Sequence, residues 1–224
     1  MQLAHLIIER PTGTERGGMD DYAGPVCEQL HLEQLSHAAL AVVCSELAVQ
    51  VHLLISGLMI AVVQRYGEAA AYAIGEFQMT GSCWVVSNRL SDWLGCKGSG
   101  IDGIIAVLQV HPAFAPSAYS AVHITRLDET RALLELLDCP AMREEMPYGW
   151  YALLLRGMSG GLDGLVKGVD PRARVARSDS SARAWEIIVD GVDIPEAEPL
   201  AVQIAKGTVL YQTRLQDRIQ LLQV

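Results

Sequence analysis

The sequence predicts an α+β fold: a helical N-terminal half packed on a small antiparallel β-sheet, with further helices in the C-terminal half. Three observations carry it. The apolar run from Ala38 to Val63 reads as one long helix. Two β-branched stretches, Tyr119–Arg126 and Trp185–Val189, read as strands. Leu- and Gly-rich segments between the strands read as further helices.

A chain of 224 residues fits one domain with a real core and no need of disulfides. Within it, 1–25 form an arm and loop, 26–112 the helical part and 117–224 the α+β part. Residues 1–10 suit a short strand or ordered arm, and the Gly- and Pro-rich 11–25 a loop. The long helix starts near 26–32 and runs through Gln64, with Ser56-Gly57 the place where it could break. Gly67 suits its end. Helices over Glu68–Gln78, Cys83–Leu94 and Ile101–Val110 follow, the last stopped by Pro112. After the Tyr119–Arg126 strand, Asp128 can cap a helix over Glu129–Leu137 that Pro140 ends. A helix over Trp150–Val166 stops before Pro171, and Arg174–Arg177 pairs with Trp185–Val189. Thr208–Gln212 reads as a strand and Arg214–Leu222 as a short helix.

Composition excludes several functions. Hydrophobic residues make up 50% and charged residues 19%, so some apolar surface is expected in a subunit interface, homo- or hetero-oligomeric. The net charge of −9, with no basic stripe, argues against nucleic acid or an anionic membrane as partner. Cys27, Cys44, Cys83, Cys96 and Cys139 are odd in number and scattered, which suits a reducing, cytoplasmic compartment. Leu6–Ile8 is too short for a signal-peptide core. The Ala38–Val63 run is long enough to span a bilayer, but Glu46, Gln50, His52 and Ser56 interrupt it. It is therefore read as a buried helix, with no membrane span.

The sequence has no dinucleotide loop, no P-loop, no HExxH and no GxSxG, so no cofactor is expected. Gly95-Cys-Lys-Gly-Ser-Gly100 is glycine-rich but lacks P-loop spacing. Cysteine spacing gives no metal site.

Candidate site residues come from patterning. At 100° per residue, Glu46, Gln50, Gly57 and Gln64 fall within about 40° of one another. Two readings fit that polar line. It grazes solvent, or it lines a ligand cavity where desolvation would tune Glu46 for proton transfer. Glu76 is a second carboxylate for that role. His37 and Cys44, two helical turns apart, read as core residues rather than a dyad. His52 and Ser56 form an i, i+4 pair that could touch, or Ser56 could bond its own helix backbone. Cys139, before Pro140, lies where exposed backbone N–H groups can activate a thiol as nucleophile. The other reading, and the more ordinary one, is an inert helix-end cysteine beside a charged surface patch. Arg89, Arg143 and Arg172 could grip an anionic substrate.

Three short motifs then stand in order: Gln64-Arg-Tyr-Gly-Glu-Ala69 at a helix end, Cys139-Pro140, and Gly160-Gly-Leu-Asp-Gly-Leu-Val-Lys-Gly-Val-Asp-Pro171 before a strand. Together they resemble the L-2-amino-thiazoline-4-carboxylic acid hydrolase-like family, over residues 32–190. The resemblance implies a small-molecule enzyme that opens or rearranges a heterocycle, with Cys139 and the Asp170-Pro171-Arg172 turn near the site. Two positions depart from the family pattern. Ala184–Val189 carries no second cysteine, and Asp170 stands where Asn is usual.

The leading expectation is a small-molecule enzyme using acid–base or nucleophilic chemistry on a small polar metabolite. Glu46, Glu76 and Cys139 would be catalytic, and Gln50, Arg89, Arg143, Asp170 and Arg172 would bind substrate. The alternatives are a small-ligand sensor domain of the vinyl-reductase type and an interaction subunit whose apolar face needs a partner.

Overall fold

The computed structural model describes residues 36–116, 118–142, 148–190 and 200–206. The expected arm and loop (1–25) and the tail strand and helix lie outside the described residues.

The first helix, α1 (His37–Tyr66), opens on Ser36, whose hydroxyl accepts the Ala39 N–H at 3.2 Å. Gly67 ends it at φ 84°, a conformation costly for any residue with a Cβ. The anticipated break at Ser56-Gly57 does not occur, and Ser56 faces inward. The expectation of a buried helix is corrected: of the most apolar 18 residues only 28% are buried. One face, carrying Ala48, His52, Ile55, Ser56, Met59 and Val62, meets the core.

The next helix, α2 (Glu68–Leu94), replaces the two shorter helices expected there. Thr80 and Ser82 stay inside it by donating their hydroxyls back to Glu76 O (2.8 Å) and Met79 O (3.4 Å). Gly81 is not a breaker. A Cβ there would stand 2.4 Å from Ala201 O, so glycine lets the helical segment 200–206 approach. After Gly95, which closes α2 in the left-handed conformation, α3 (Gly100–Val110) buries Ile101, Ile104, Val107 and Leu108.

The sheet has four strands in the order β1 (Val122–Arg126), β2 (Arg131–Leu136), β4 (Ala184–Val189), β3 (Ala173–Arg177), every neighbouring pair antiparallel. Strand β2 falls where a helix was expected. Asp128 Oδ1 accepts from Thr130 N at 2.8 Å and Thr130 Oγ1 at 3.0 Å, so the side chain builds a hairpin turn instead of a helix cap. Burial then alternates, with Ala132, Leu134 and Leu136 inward. Pairing on both edges overrides the helix-forming composition.

Two helices replace the expected Trp150–Val166 helix: α4 (Trp150–Leu155) and α5 (Gly160–Val169), separated by Gly157 at φ 89°. Helix α5 lies along α2 on a glycine face. A Cβ at Gly164 would sit 2.4 Å from Thr80 O, and one at Gly168 2.5 Å from Trp84 O. One hydrophobic core joins α1–α5 to the inner face of the sheet through Met59, Ile104, Leu134, Leu153, Leu165 and Trp185. The protein is thus α+β, with its helical half first and further helices among the strands.

Candidate functional site at Cys139

Strand β2 runs out at Leu136, and Cys139 directly precedes the short 3-10 turn Pro140–Met142. Two hydrogen bonds fasten this corner to the chain before β1: Leu137 N to Ala121 O at 3.0 Å and Ala141 N to Tyr119 O at 3.0 Å. They continue the β1–β2 register, in which Val122 faces Leu136. The corner opens on a surface cleft of about 420 Å³ lined by Asp138, Cys139, Pro140, Met142 and Arg183. Arg183 pairs with Asp138 across it.

Behind the corner lies a cluster of buried polar side chains. His52 and Ser56 come from α1, Tyr119 and Ser120 from the segment before β1, and Tyr151 from α4; all five are buried. The rings of His52 and Tyr119 meet at 5.1 Å between centroids, tilted by 51°. His52 Nε2, Ser56 Oγ, Ser120 Oγ and Tyr151 Oη have no well-formed hydrogen bond among the described residues. Buried polar groups are ordinarily partnered, and leaving one bare costs about 1–3 kcal/mol. Within the cluster the Ala115 and Pro112 carbonyls lie against His52, and the Ser120 hydroxyl lies beside Tyr151.

The cluster is electrically neutral. Burial lowers the His52 pKa against the opposing pull of the Ala115 and Pro112 carbonyls, so its imidazole is uncharged at neutral pH. Burial raises the Tyr119 phenol, and negative charge at Cys139 raises it further. Tyr151 is pushed far up by burial, with the Ser120 hydroxyl beside it working the other way and charge at Cys139 and Tyr119 adding to the rise. Both phenols therefore keep their protons and can donate, and both lie near Cys139. A protonated phenol near a nucleophile is the type of donor that can stabilise a developing oxyanion.

The other sequence candidates are scattered. Glu46 and Gln50 are exposed on α1, as are Gly57 and Gln64, so the polar line faces solvent rather than the Cys139 cleft. Glu76 is half-buried on α2 against Gly160 at the start of α5. Arg89 is exposed on α2, and Arg143 lies outside the described residues.

Asp170 and Arg172 form a clamp. Asp170 is fully buried and accepts from Arg172 Nε (2.9 Å), Nη2 (2.7 Å) and backbone N (3.0 Å), and from Gly100 N (3.1 Å). Arg172 Nη2 also reaches Gly98 O at 3.2 Å. The pair holds the α2–α3 loop to the α5–β3 turn. In that same loop Lys97 pairs with Asp92 at 3.2 Å.

His37 and Cys44, read as core residues, are both exposed. Ser56 does not bond its helix backbone. Among the described residues no group of three or more His, Cys, Asp or Glu side chains is placed to hold a metal ion.

Sequence reasoning missed Tyr119, Ser120, Tyr151 and Arg183. None belongs to a local motif. Tyr119 and Ser120 reach Cys139 through the β1–β2 register, Tyr151 through the packing of α4, and Arg183 through the pairing of β4 with β2, and no spacing signal marks any of these.

Fold and site together define an α+β protein with a half-buried thiol between a surface cleft and a neutral, hydroxyl-rich cluster. Compared with protein-family models, curated proteins and solved structures, the chain has no match.

Proposed function

We propose that this protein is a cofactor-independent enzyme that acts on a small polar metabolite through nucleophilic attack by Cys139, in a hydrolysis, elimination or cyclisation. One observation carries the reading: Cys139 stands where the cleft meets the buried Tyr119–Tyr151–His52 cluster. The short-motif resemblance to the thiazoline-carboxylate hydrolases, if it extends to the site, would place Cys139 there as well.

In this reading the Cys139 sulfur bonds to an electrophilic sp² carbon of the substrate. The electron pair displaced onto the substrate heteroatom is met by the Tyr151 phenol, which burial keeps protonated. The thiol proton is lost to solvent at the cleft, which the half-buried Cys139 borders. Arg183 at the cleft supplies the positive charge for an anionic substrate group once it exchanges Asp138 for that group. The scattered cysteines and acidic charge favour work in the cytoplasm.

The test uses 4-nitrophenyl acetate as a general acyl donor. The expected result is a burst of nitrophenolate with the acetyl group on Cys139, absent from Cys139→Ala. A burst of equal size in that variant would remove Cys139 from the chemistry.

A further inference from the structure

Arg183 lines the Cys139 cleft, and both peptide bonds beside its Cα are held. Its carbonyl accepts from Leu136 N at 2.9 Å, at the end of the strand that leads to Cys139. The peptide plane on its other side, Ala182–Arg183, is gripped at both ends. Ser181 Oγ accepts the Arg183 N–H at 3.1 Å, and Arg177 Nη2 donates to Ala182 O. A peptide is planar, so fixing its oxygen and its N–H fixes the whole unit. With the planes before and after it set, the φ and ψ of Arg183 are set, and with them the direction of its Cα–Cβ bond. Arg177 is itself anchored. Its guanidinium lies over the Trp185 ring, 5.2 Å from the centroid, and reaches Leu155 O at 3.4 Å and Leu154 O at 3.5 Å. Those carbonyls close α4, the helix whose first turn carries Tyr151. One side chain so spans the loop that carries Arg183 and the helix that carries Tyr151.

We propose that Arg177 is a positioning residue: through the Ala182–Arg183 peptide it holds Arg183 where the cleft admits a carboxylate beside Cys139, and so selects small electrophiles that carry one. The inference rests on the reading of Cys139 as the nucleophile. Arg183 suits a carboxylate because its planar fork meets both oxygens at once. The carboxylate's competitor is Asp138, whose side chain is 90% exposed, so their pair is a weak surface contact that an entering anion can replace. A long side chain on a free loop would lose conformational entropy in making the same fork, and a fixed backbone reduces that loss. Fork geometry also decides which variant is informative. Lysine at 177 keeps the positive charge and an apolar stem beside Trp185, but it presents one ammonium in place of the fork. It therefore cannot hold Ala182 O and the α4 carbonyls together. An effect of charge alone would survive that change, and positioning would not.

The experiment alkylates Cys139 in the full chain, at low ionic strength and about pH 8, with iodoacetate and separately with iodoacetamide, and reads both rates by mass-spectrometric mapping. The two reagents differ in charge and hardly in size, so their rate ratio at Cys139 reports the positive charge held beside it. The wild-type ratio of iodoacetate to iodoacetamide is expected to exceed that of Arg183→Gln by about fivefold or more. Arg177→Lys is expected to lose most of that difference, with far-UV circular dichroism as the folding control. Ser181→Ala releases the same peptide at its other end; it is expected to lose part of the difference, and it serves if Arg177→Lys does not fold. A wild-type ratio in Arg177→Lys, or in Ser181→Ala, overturns the proposal. Equal ratios in the wild type and Arg183→Gln overturn this inference alone and leave the thiol reading standing. A Cys139 that neither reagent labels removes both.

Discussion

Arg172 grips Asp170 through both Nε and Nη2, at 2.9 and 2.7 Å, and the buried carboxylate passes that hold on to Gly100 N. One ion pair so ties the loop between α2 and α3 to the turn between α5 and β3. The arginine is half-exposed, so its charge is partly screened, while the aspartate cannot be left bare. Asp170→Ala is expected to cost about 2–4 kcal/mol in urea unfolding, because it strands the Gly100 N–H and leaves Arg172 only its bond to Gly98 O across the loop among the bonds described here. The Arg172 guanidinium holds the Asp170 pKa below the usual 3.8. A lowered carboxylate stabilises the fold above its unfolded pKa and is lost as pH falls through the folded one. The clamp's contribution should therefore persist to pH 4 and fade below it. A loss under about 0.5 kcal/mol would show that the loop is held some other way.

The histidines act on the same acid side, beginning at higher pH. His111 is buried, accepts the Ala113 N–H on Nδ1 at 3.1 Å, and has its pKa pushed down to about 4 by burial, against the Cys83 carbonyl. Burial lowers His52 as well. Each binds a proton more readily unfolded than folded, so stability is full above 6.5 and falls as pH drops from there toward 4. The slope should reach about 1.4 kcal/mol per pH unit per histidine. His111→Asn, which keeps an acceptor for Ala113, should flatten part of it. Urea midpoints unchanged between pH 7 and 5 would contradict neutral burial.

Much of the fold was legible because its signals are local. Gly67 and Gly95 end helices, Pro112 stops α3, and Trp185–Val189 alternates as a strand should. Strand β2 was not legible: Asp128 can cap a helix or turn a hairpin with the same oxygens, and only the partner strands decide. Gly81 and Gly157 look alike in sequence, yet one sits inside a helix where Ala201 approaches and the other separates two helices. Of the site, Cys139 could be singled out by its proline. Tyr119 and Tyr151 could not, because their meeting with Cys139 is tertiary. Glu46 stood out by chemistry, but the polarity of its stripe records exposure to solvent.

The glycine face of α5 makes a sharp contrast between two substitutions. Gly164→Ala sets a methyl 2.4 Å from Thr80 O, where backbone must move, and should cost about 1–3 kcal/mol. Gly57→Ala meets nothing within 4 Å on a helix interior and should stabilise by about 0.5–1 kcal/mol. Thermal melts of the two variants should move in opposite directions; matching shifts would mean that the α2–α5 contact is looser than described.

The cysteines should separate by reactivity. Cys83 is buried and its pKa is pushed up to about 12 by burial, so at pH 8 it should resist iodoacetamide until denaturant is added. Cys44 is exposed and Cys139 borders the cleft, so both should react in the native state. Mass-spectrometric mapping checks the order, and early labelling of Cys83 would contradict the packing of α2.

The most direct measurement on the central claim compares the rate of Cys139 acetylation by 4-nitrophenyl acetate in the wild type and in Tyr151→Phe, with iodoacetamide alkylation of Cys139 as reference. Alkylation generates no oxyanion, whereas acyl transfer does. The account predicts that removing the phenol slows acetylation by about 100-fold and leaves alkylation within a factor of about two. Equal slowing of both reactions, or of neither, would contradict a site in which Tyr151 serves the chemistry of Cys139.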